Sequence, residues 1–577
     1  MRAAFLGGVV LYFAAYLQFH VEEWWRPTLE WLRDPWGLHS IGGSVGSTQQ
    51  LRNHSNQSRL ARNASGKPNL LLLFPDQWRY DWDGLTTLPG GQDLPLRMPT
   101  MQRLAAQGVR FTQAYVPSPL CVPSRACFAS GREYDATGVP GVSAALPVGS
   151  TTFYALLRDA GYHTMTVGKD DLTQNTRLGE DNDFLGCSYC KHGDGLYRQS
   201  ELGFDDGLRY AGKKQVVGKG KPWDMYGRYL RRKVVVSLDG VKQSAWLAHK
   251  QCYKDMKNMK PQRGEACDNQ TFTREFYEDD YTAMNAIKIL RRRPKDKPWF
   301  LQVNFPGPHD PFLVTGEMHD SVSDGRVWPQ AIDDHLGRNQ TTPGGSCIRL
   351  SGPSAARTRC NYAAEVENLD SLFRKVLDEV ERQGELNRTI IFVSSDHGEA
   401  LGDHSGINKN KPWRGVVSVP LLVVGAKHAG PYIQPGLEVH KPVATLDLAG
   451  TFLDFAGVEP APNMTAVSLR PFLTGGEGKG YRSFVSSGYD NFRVVVKAIH
   501  GATYKYICCR FKCPSAPSTV PPMNSQNWTE MLIHVEADPG EMKDLSRDLP
   551  DITRQMRLLL PTRAYQGWRY AEGCSAK

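Results

Sequence analysis

The sequence has no apolar run long enough to cross a membrane as a helix, no internal repeat and little excess of either charge. The longest signal of the first kind, Ala3–Leu17, falls short of the roughly 20 residues that a spanning helix needs. The absence of repeats excludes solenoid and propeller architectures. Lys and Arg number 69 against 60 Asp and Glu, a net charge of +9. A solvated surface accounts for so mild an excess, and where it acts it suits an anionic ligand. A small-x-small cleavage site is also missing after the apolar run, which Gln18, His20, Glu22 and Glu23 end abruptly. Its length fits the core of a signal peptide. Residues 1–20 are therefore expected to be a signal peptide or a signal anchor. Either one leads into the secretory pathway, and the mature chain is expected to be secreted, lysosomal, or anchored on the lumenal side of a Golgi membrane.

What is present supports that route. Asn53, Asn56, Asn63, Asn269, Asn339, Asn387, Asn463 and Asn527 each open a glycosylation sequon. A single sequon means little, but three of them crowd residues 53–65. Residues 21–66 are polar and read as a flexible glycosylated stem. The 12 cysteines are expected to be mostly paired in an oxidising compartment. Plausible bridges are Cys252 with Cys267, Cys347 with Cys360, and Cys508 or Cys509 with Cys513. Should Cys121 serve chemistry, 11 remain, so at least one other is free or bonded to another chain.

From Lys67 the chain alternates strand-like and helix-like stretches. Asn69–Phe74, His163–Val167, Trp299–Phe305, Thr389–Ser394 and Pro420–Val424 read as strands. Val366, Leu369, Phe373, Val376 and Val380 recur at helical spacing within 362–382. The alternation predicts an α/β fold with a large, mostly parallel sheet between helices. Residues 67–475 form the expected catalytic domain. Residues 476–577, with two strands and a helix over 551–559, form a smaller C-terminal α+β subdomain. Residues 175–295 read as an irregular basic insertion. Its Lys213, Lys214, Lys219, Lys221, Arg228, Arg231, Arg232 and Lys233, interleaved with Trp223, Tyr226 and Tyr229, suit either a solvated loop or a grip on an acidic polysaccharide. The secretory signals argue against nucleic acid.

Ligands of open parallel sheets bind beyond the carboxyl ends of the strands. Four of the strands run into unusual polar residues there: Asp76 and Gln77, Lys169, His309, and Asp396 with His397. At the centre stands Cys121-Val122-Pro123-Ser124-Arg125. Pro123 suits the first turn of a helix. Cys121 then lies at the helix N-terminus, where free N–H groups favour anions. Arg125 falls four residues on, on the same face. A nucleophile beside a guanidinium is one reading, and a structural cysteine with a surface arginine is the other.

Cys121–Arg125, followed by Gly131-Arg132, resembles the C-x-P-S-R signature of the sulfatase family. The approach Met98-Pro99-Thr100, and the phrases at 308–312, 395–399, 401–404 and 538–545, are also similar. The resemblance covers about Lys67 to Leu560 outside the insertion. It implies an alkaline-phosphatase-like α/β sandwich and hydrolysis of sulfate esters of a sulfated glycan or an aryl alcohol. It implies that Cys121 is oxidised to formylglycine by a formylglycine-generating enzyme. It implies metal ligands at Asp76, Gln77, Asp396 and His397, with an oxygen of modified Cys121. Such hard donors favour Ca²⁺ or Mg²⁺. Lys169 and Lys409 match the sulfate-binding lysines. Lys409 stands 11 residues before Pro420, which favours it over Lys411. His309 matches the acid that protonates the leaving group. Many sulfatases carry a histidine where this chain has Asp171, so either Asp171 or His404 is expected to supply the base for sulfate release. Two other readings are a formylglycine-dependent phosphodiesterase or phosphonate monoester hydrolase, and a non-catalytic glycan-binding derivative. Two-zinc phosphatases of the same superfamily need further Asp and His groups that are missing here.

Overall fold

The computed structural model describes residues 66–88, 93–172, 199–213, 224–236, 240–257, 273–322, 325–326, 328–329, 355–510 and 528–560. The expected leader, and the expected stem up to residue 65, lie outside these residues. So do six of the sequons (Asn53, Asn56, Asn63, Asn269, Asn339 and Asn527), the basic residues Lys214, Lys219 and Lys221 with Trp223, and the partner cysteines Cys267, Cys347 and Cys513. Among the described residues no helix is long and apolar enough to cross a membrane.

The strands are β1 (Asn69–Leu73), β2 (Gly108–Tyr115), β3 (His163–Gly168), β4 (Asp206–Arg209), β5 (Val234–Val236), β6 (Lys242–Ser244), β7 (Trp299–Asn304), β8 (Thr389–Val393), β9 (Ser418–Val424), β10 (Leu437–Val439) and β11 (Val443–Ala444). All but β5 and β6 join one sheet in the order β10-β2-β9-β8-β1-β7-β3-β4, with β11 also on β2. Every pair in it is parallel except those made by β9, which runs against both β2 and β8.

Each residue of β1 is buried because the strand has a core on both faces. Leu70, Leu72 and Phe74 pack into one layer with α2 (Cys121–Ser130), α3 (Phe153–Asp159) and α8 (Asp447–Ala456). Leu71 and Leu73 pack into the other, with α1 (Pro99–Gln107), α6 (Glu278–Arg292) and α7 (Ala355–Arg382). The spaced apolar residues Val366, Leu369, Phe373, Val376 and Val380 of α7 are all buried there. In the first layer Phe128 of α2 stacks on Phe74 at 5.2 Å, and Phe452 of α8 meets Phe128, Phe153, Phe300 and Phe392. Full burial of one such ring is worth roughly 2–3 kcal/mol. This aromatic cluster clamps the Cys121 helix to the sheet.

The stretch 175–295, expected to be irregular, holds regular elements among its described residues. Strand β4 extends the main sheet by pairing with β3, and α6 covers one face. Between them α4 (Met225–Arg232), the β5–β6 hairpin and α5 (Ala245–Lys257) enclose a small core of Tyr210, Tyr226, Trp246 and Phe276. Lys213 is buried against Glu365 and Tyr226 is buried in that core, so neither belongs to a basic surface. At the C-terminus β12 (Val485–Tyr489), β13 (Phe492–Ile499), β14 (Ala502–Arg510) and β15 (Trp528–His534) form an antiparallel meander. Val494 and Val496 of β13 face the main core, whereas Val495 faces Met556 of α9 (Pro550–Arg557). The smaller sheet therefore shares the core of the larger one.

Candidate active site

Strands β8, β1, β7 and β3 are parallel neighbours, so their carboxyl ends lie on one edge. That edge gathers Asp76 and Gln77, Lys169, His309, and Asp396 with His397. Helix α2 delivers Cys121 as its first residue, after an extended Leu120. All ten residues of this helix are buried. Two neighbours fix it to the Asp396 loop. Ser124 Oγ donates to the Asp396 carbonyl at 2.6 Å, and Arg125 Nε donates to Asp396 Oδ2 at 2.8 Å.

Of the two remaining Arg125 nitrogens, one is hydrogen-bonded and the other faces Asp76 without a hydrogen bond. One terminal nitrogen donates to the Lys169 carbonyl at 2.7 Å and to Asn304 Oδ1 at 2.9 Å. The other lies 3.5 Å from Asp76 Oδ2. Lys169 Nζ pairs with Asp76 Oδ2 and lies 3.2 Å from Asp171 Oδ2. Lys409 Nζ is 3.8 Å from Cys121 Sγ, 2.7 Å from His309 Nε2 and 3.2 Å from His397 Nε2. The rival Lys411 instead donates to the Ile407 carbonyl. His404 stacks on Trp413 at 4.1 Å and lines a cavity with Arg79, Arg414 and Glu541. Of the two expected bases, it is thus Asp171 that lies beside the lysine of the Cys121 cluster.

Burial and charge set the state of these groups. Burial pushes the Cys121 thiol up to about 11, despite Lys409 and Lys169, and a neutral thiol is a poor nucleophile. Burial would also raise the Asp76 carboxyl, but Lys169, His309, Lys409 and Arg125 outweigh it and hold it well below the usual range. Burial pulls His397 down to about 4. That leaves it neutral, as a metal-binding imidazole must be.

Among the described residues, one cluster has metal-ligand geometry: Asp76, Asp396 and His397, each offering an atom within 4.8 Å of the others. Asp76 Oδ1 and Gln77 Oε1 are buried and accept no hydrogen bond. Two orphaned buried oxygens are costly unless a cation satisfies them. The residues therefore fit a divalent ion with hard oxygen donors. The loops that carry the cluster are strained, which only a well-packed surround sustains. Gln77, Asp171, Leu401, His404, Asn408 and Asn410 all have positive φ.

Sequence reasoning passed over two groups here. Tyr154 donates to Gln302 Oε1 at 2.9 Å, Gln302 donates to Asn304 Oδ1 at 2.6 Å, and that same oxygen receives Arg125. The signal was two amides spaced by two residues inside an otherwise apolar strand, Trp299–Phe305. The second group is Glu399, which accepts from Gln77 Nε2.

A mixed α/β sandwich with this cluster beyond its strand ends has the alkaline-phosphatase-like fold. The solved phosphonate monoester hydrolase of Agrobacterium radiobacter shares the fold, with a TM-score of 0.59 at 19% identity over 84% of this chain and 93% of that one. Residues 68–458 match the family model for Sulfatase, and the chain belongs to the sulfatase family. A choline-sulfatase of Rhizobium meliloti (strain 1021) is 26% identical over 500 residues, 84% of this chain and 83% of its own length. An arylsulfatase K of Homo sapiens is 25% identical over 507 residues, 85% and 81% of the two chains. The protein is a sulfuric ester hydrolase.

Proposed function

We propose that this sulfatase cleaves sulfate from a sulfated carbohydrate or aryl ester through a formylglycine made from Cys121 by a formylglycine-generating enzyme. The observation that carries the reading is the convergence on residue 121 of Arg125, Lys169, Lys409 and His309 with the oxygens of Asp76, Gln77 and Asp396. A formylglycine hydrate supplies two geminal hydroxyls, one to attack sulfur and one whose deprotonation re-forms the aldehyde as sulfate leaves. Asp76, Gln77, Asp396 and His397 would hold Ca²⁺ or Mg²⁺, a Lewis acid for the sulfuryl oxygens.

The side chains divide the remaining work. Arg125, pinned by Asp396 and Asn304, holds a fixed positive charge beside residue 121. Lys169 and Lys409 neutralise charge that develops on the sulfuryl group. His309, whose Nε2 accepts from the Lys409 ammonium, passes that proton on to the departing oxygen. Asp171 receives the proton when sulfate is released.

A glycan substrate gains support from a structural neighbour (TM-score 0.56, 18% identity) solved in complex with D-glucosamine-2-N,6-O-disulfate. Traffic through the secretory pathway, with the N-terminal segment cleaved or kept as an anchor, gains support from cysteine use. Cys121 and Cys127 are free, whereas Cys252, Cys360, Cys508 and Cys509 are disulfide-bonded. The sequon residue Asn463 is exposed and available to a glycan.

Mass spectrometry of the Cys121 peptide from secreted protein tests the mechanism. Loss of the thiol mass with gain of an aldehyde is expected, and an unmodified thiol in every molecule defeats it. A panel of aryl sulfate, sulfated sugars, phosphate diesters and phosphonate esters then tests the reaction. Turnover confined to the phosphorus esters would favour the phosphonate hydrolase alternative.

A further inference from the structure

We infer that Glu399 is a positioning residue that sets the orientation of the Gln77 side-chain amide, so that its oxygen and not its nitrogen faces the cation. The inference rests on the metal reading proposed above. A glutamine ligand poses a problem that an aspartate does not. Its amide has a donor end and an acceptor end of nearly the same shape, and only one end can bind a cation.

The surroundings resolve the choice. Gln77 Nε2 donates to Glu399 Oε2. Gln77 Oε1 is then left buried and without a hydrogen-bond partner, on the residue that follows Asp76 in the chain. Gln77 N donates to Asp396 Oδ1 at 3.0 Å, which fixes the backbone next to the cluster. Glu399 cannot turn away, because its other oxygen accepts from the backbone N–H groups of Leu401 and Asn408. Glu399 is itself fully buried. In its ionised form a carboxylate is the one side chain of this length that accepts on both ends, and it then directs a donor toward itself and an acceptor toward the ion.

The same geometry predicts what an amide at position 399 would do. The N–H groups of Leu401 and Asn408 would hold its oxygen, and its NH₂ would point at Gln77. Gln77 would then have to reverse, presenting NH₂ to the cation. Partners behind a metal ligand typically change affinity by about 10–100-fold. An exchange of the acid and the amide restores a matched pair, with a carboxylate oxygen free for the ion.

The test is calorimetric titration of Ca²⁺ alone, and Mg²⁺ alone, into the metal-stripped full chain. Glu399→Gln is expected to raise Kd about 10–100-fold, and the double variant Gln77→Glu with Glu399→Gln to recover most of that loss. An unchanged Kd in Glu399→Gln overturns the inference, as does a double variant that binds no better than Glu399→Gln. Should Glu399→Gln fail to fold, the decision falls to Gln77→Glu, which places two carboxylates face to face. The inference requires the double variant to bind more tightly than Gln77→Glu, and the reverse order overturns it. A wild-type chain that binds neither ion defeats the metal reading and this inference together, whereas wild-type binding with no effect at residue 399 defeats this inference alone.

Discussion

Replacing Asn304 by leucine removes an amide from the interior and keeps the branched heavy-atom outline of the side chain. Asn304 Oδ1 accepts from Arg125 at 2.9 Å and from Gln302 Nε2 at 2.6 Å, and its Nδ2 donates to Thr166 Oγ1 at 3.0 Å. Arg125 keeps the Lys169 carbonyl on the same nitrogen, so it loses one charge-assisted bond, worth about 1.5–3 kcal/mol. Gln302 Nε2 is left buried without an acceptor, at about 1–3 kcal/mol. The Thr166 hydroxyl can rotate, and its loss is small. The expected destabilisation is therefore about 3–5 kcal/mol. Unfolding entropy near 2 cal/mol/K per residue makes that a fall in Tm of about 3–4 °C for a chain of this size. Loss of one anchor also frees the guanidinium beside residue 121. If 1.5–3 kcal/mol of that loss is felt in the transition state, kcat/KM drops roughly 10–100-fold. Thermal denaturation and aryl sulfate hydrolysis on the same preparation measure both. Asn304→Asp keeps both acceptances and is expected to retain more activity. A leucine variant with wild-type Tm and kcat/KM would refute the proposed role of the relay.

Four further outcomes are expected. Lys409→Met lowers kcat about 10²–10³-fold, as loss of a charge-stabilising donor does, whereas Lys411→Met stays within about twofold because Lys411 points at the Ile407 carbonyl; steady-state kinetics separate the two. Arg125→Lys loses the forked contact to Asp396 and Asn304, and its kcat/KM falls by about 10²-fold. Chelation lowers the Tm of the wild-type chain, by the equivalent of about 2–3 kcal/mol if the ion was present at 100 times its Kd, and leaves Asp396→Asn unmoved in a thermal scan. Burial pushes the Glu365 carboxyl up to about 8. The folded state then binds one more proton than the unfolded state between about pH 4.3 and 8, so this group's contribution is complete in acid and is lost as pH rises to 8. Glu365→Gln is expected to flatten that decline by up to about 1.4 kcal/mol per pH unit in urea titrations.

The parts of the site that chain-local chemistry dictates were legible in the sequence. A strand buried on both faces has to be a continuous apolar run, so Asn69–Phe74 announced β1 and placed Asp76 and Gln77 just past it. Pro123 marked the first turn of α2 and put Arg125 one turn from Cys121. Strand order was not legible, because pairing depends on partners far along the chain. For that reason β4, four residues long within a basic stretch, passed for irregular insertion. Lys213 illustrates the same limit. Among neighbouring lysines it reads as surface charge, and only Glu365 of α7 and Tyr277, both of which accept from its ammonium, make the burial tolerable. The choice between Asp171 and His404 also turned on which loop met Lys169, a matter of tertiary distance. Asn304 lacked the one property that draws notice in a sequence, a charge.

The reversed direction of β9 has a consequence for how the site is assembled. The chain leaves β8 at the catalytic rim and re-enters the sheet through β9 at that same rim, so residues 394–417 never travel to the far side. Asp396, His397, Glu399 and Lys409 ride on this one excursion. A parallel strand in that place would have demanded a return crossing and would have tied the excursion to a covering helix. As built, Asp396, His397, Glu399 and Lys409 are all delivered to the rim with no crossing of the sheet between them.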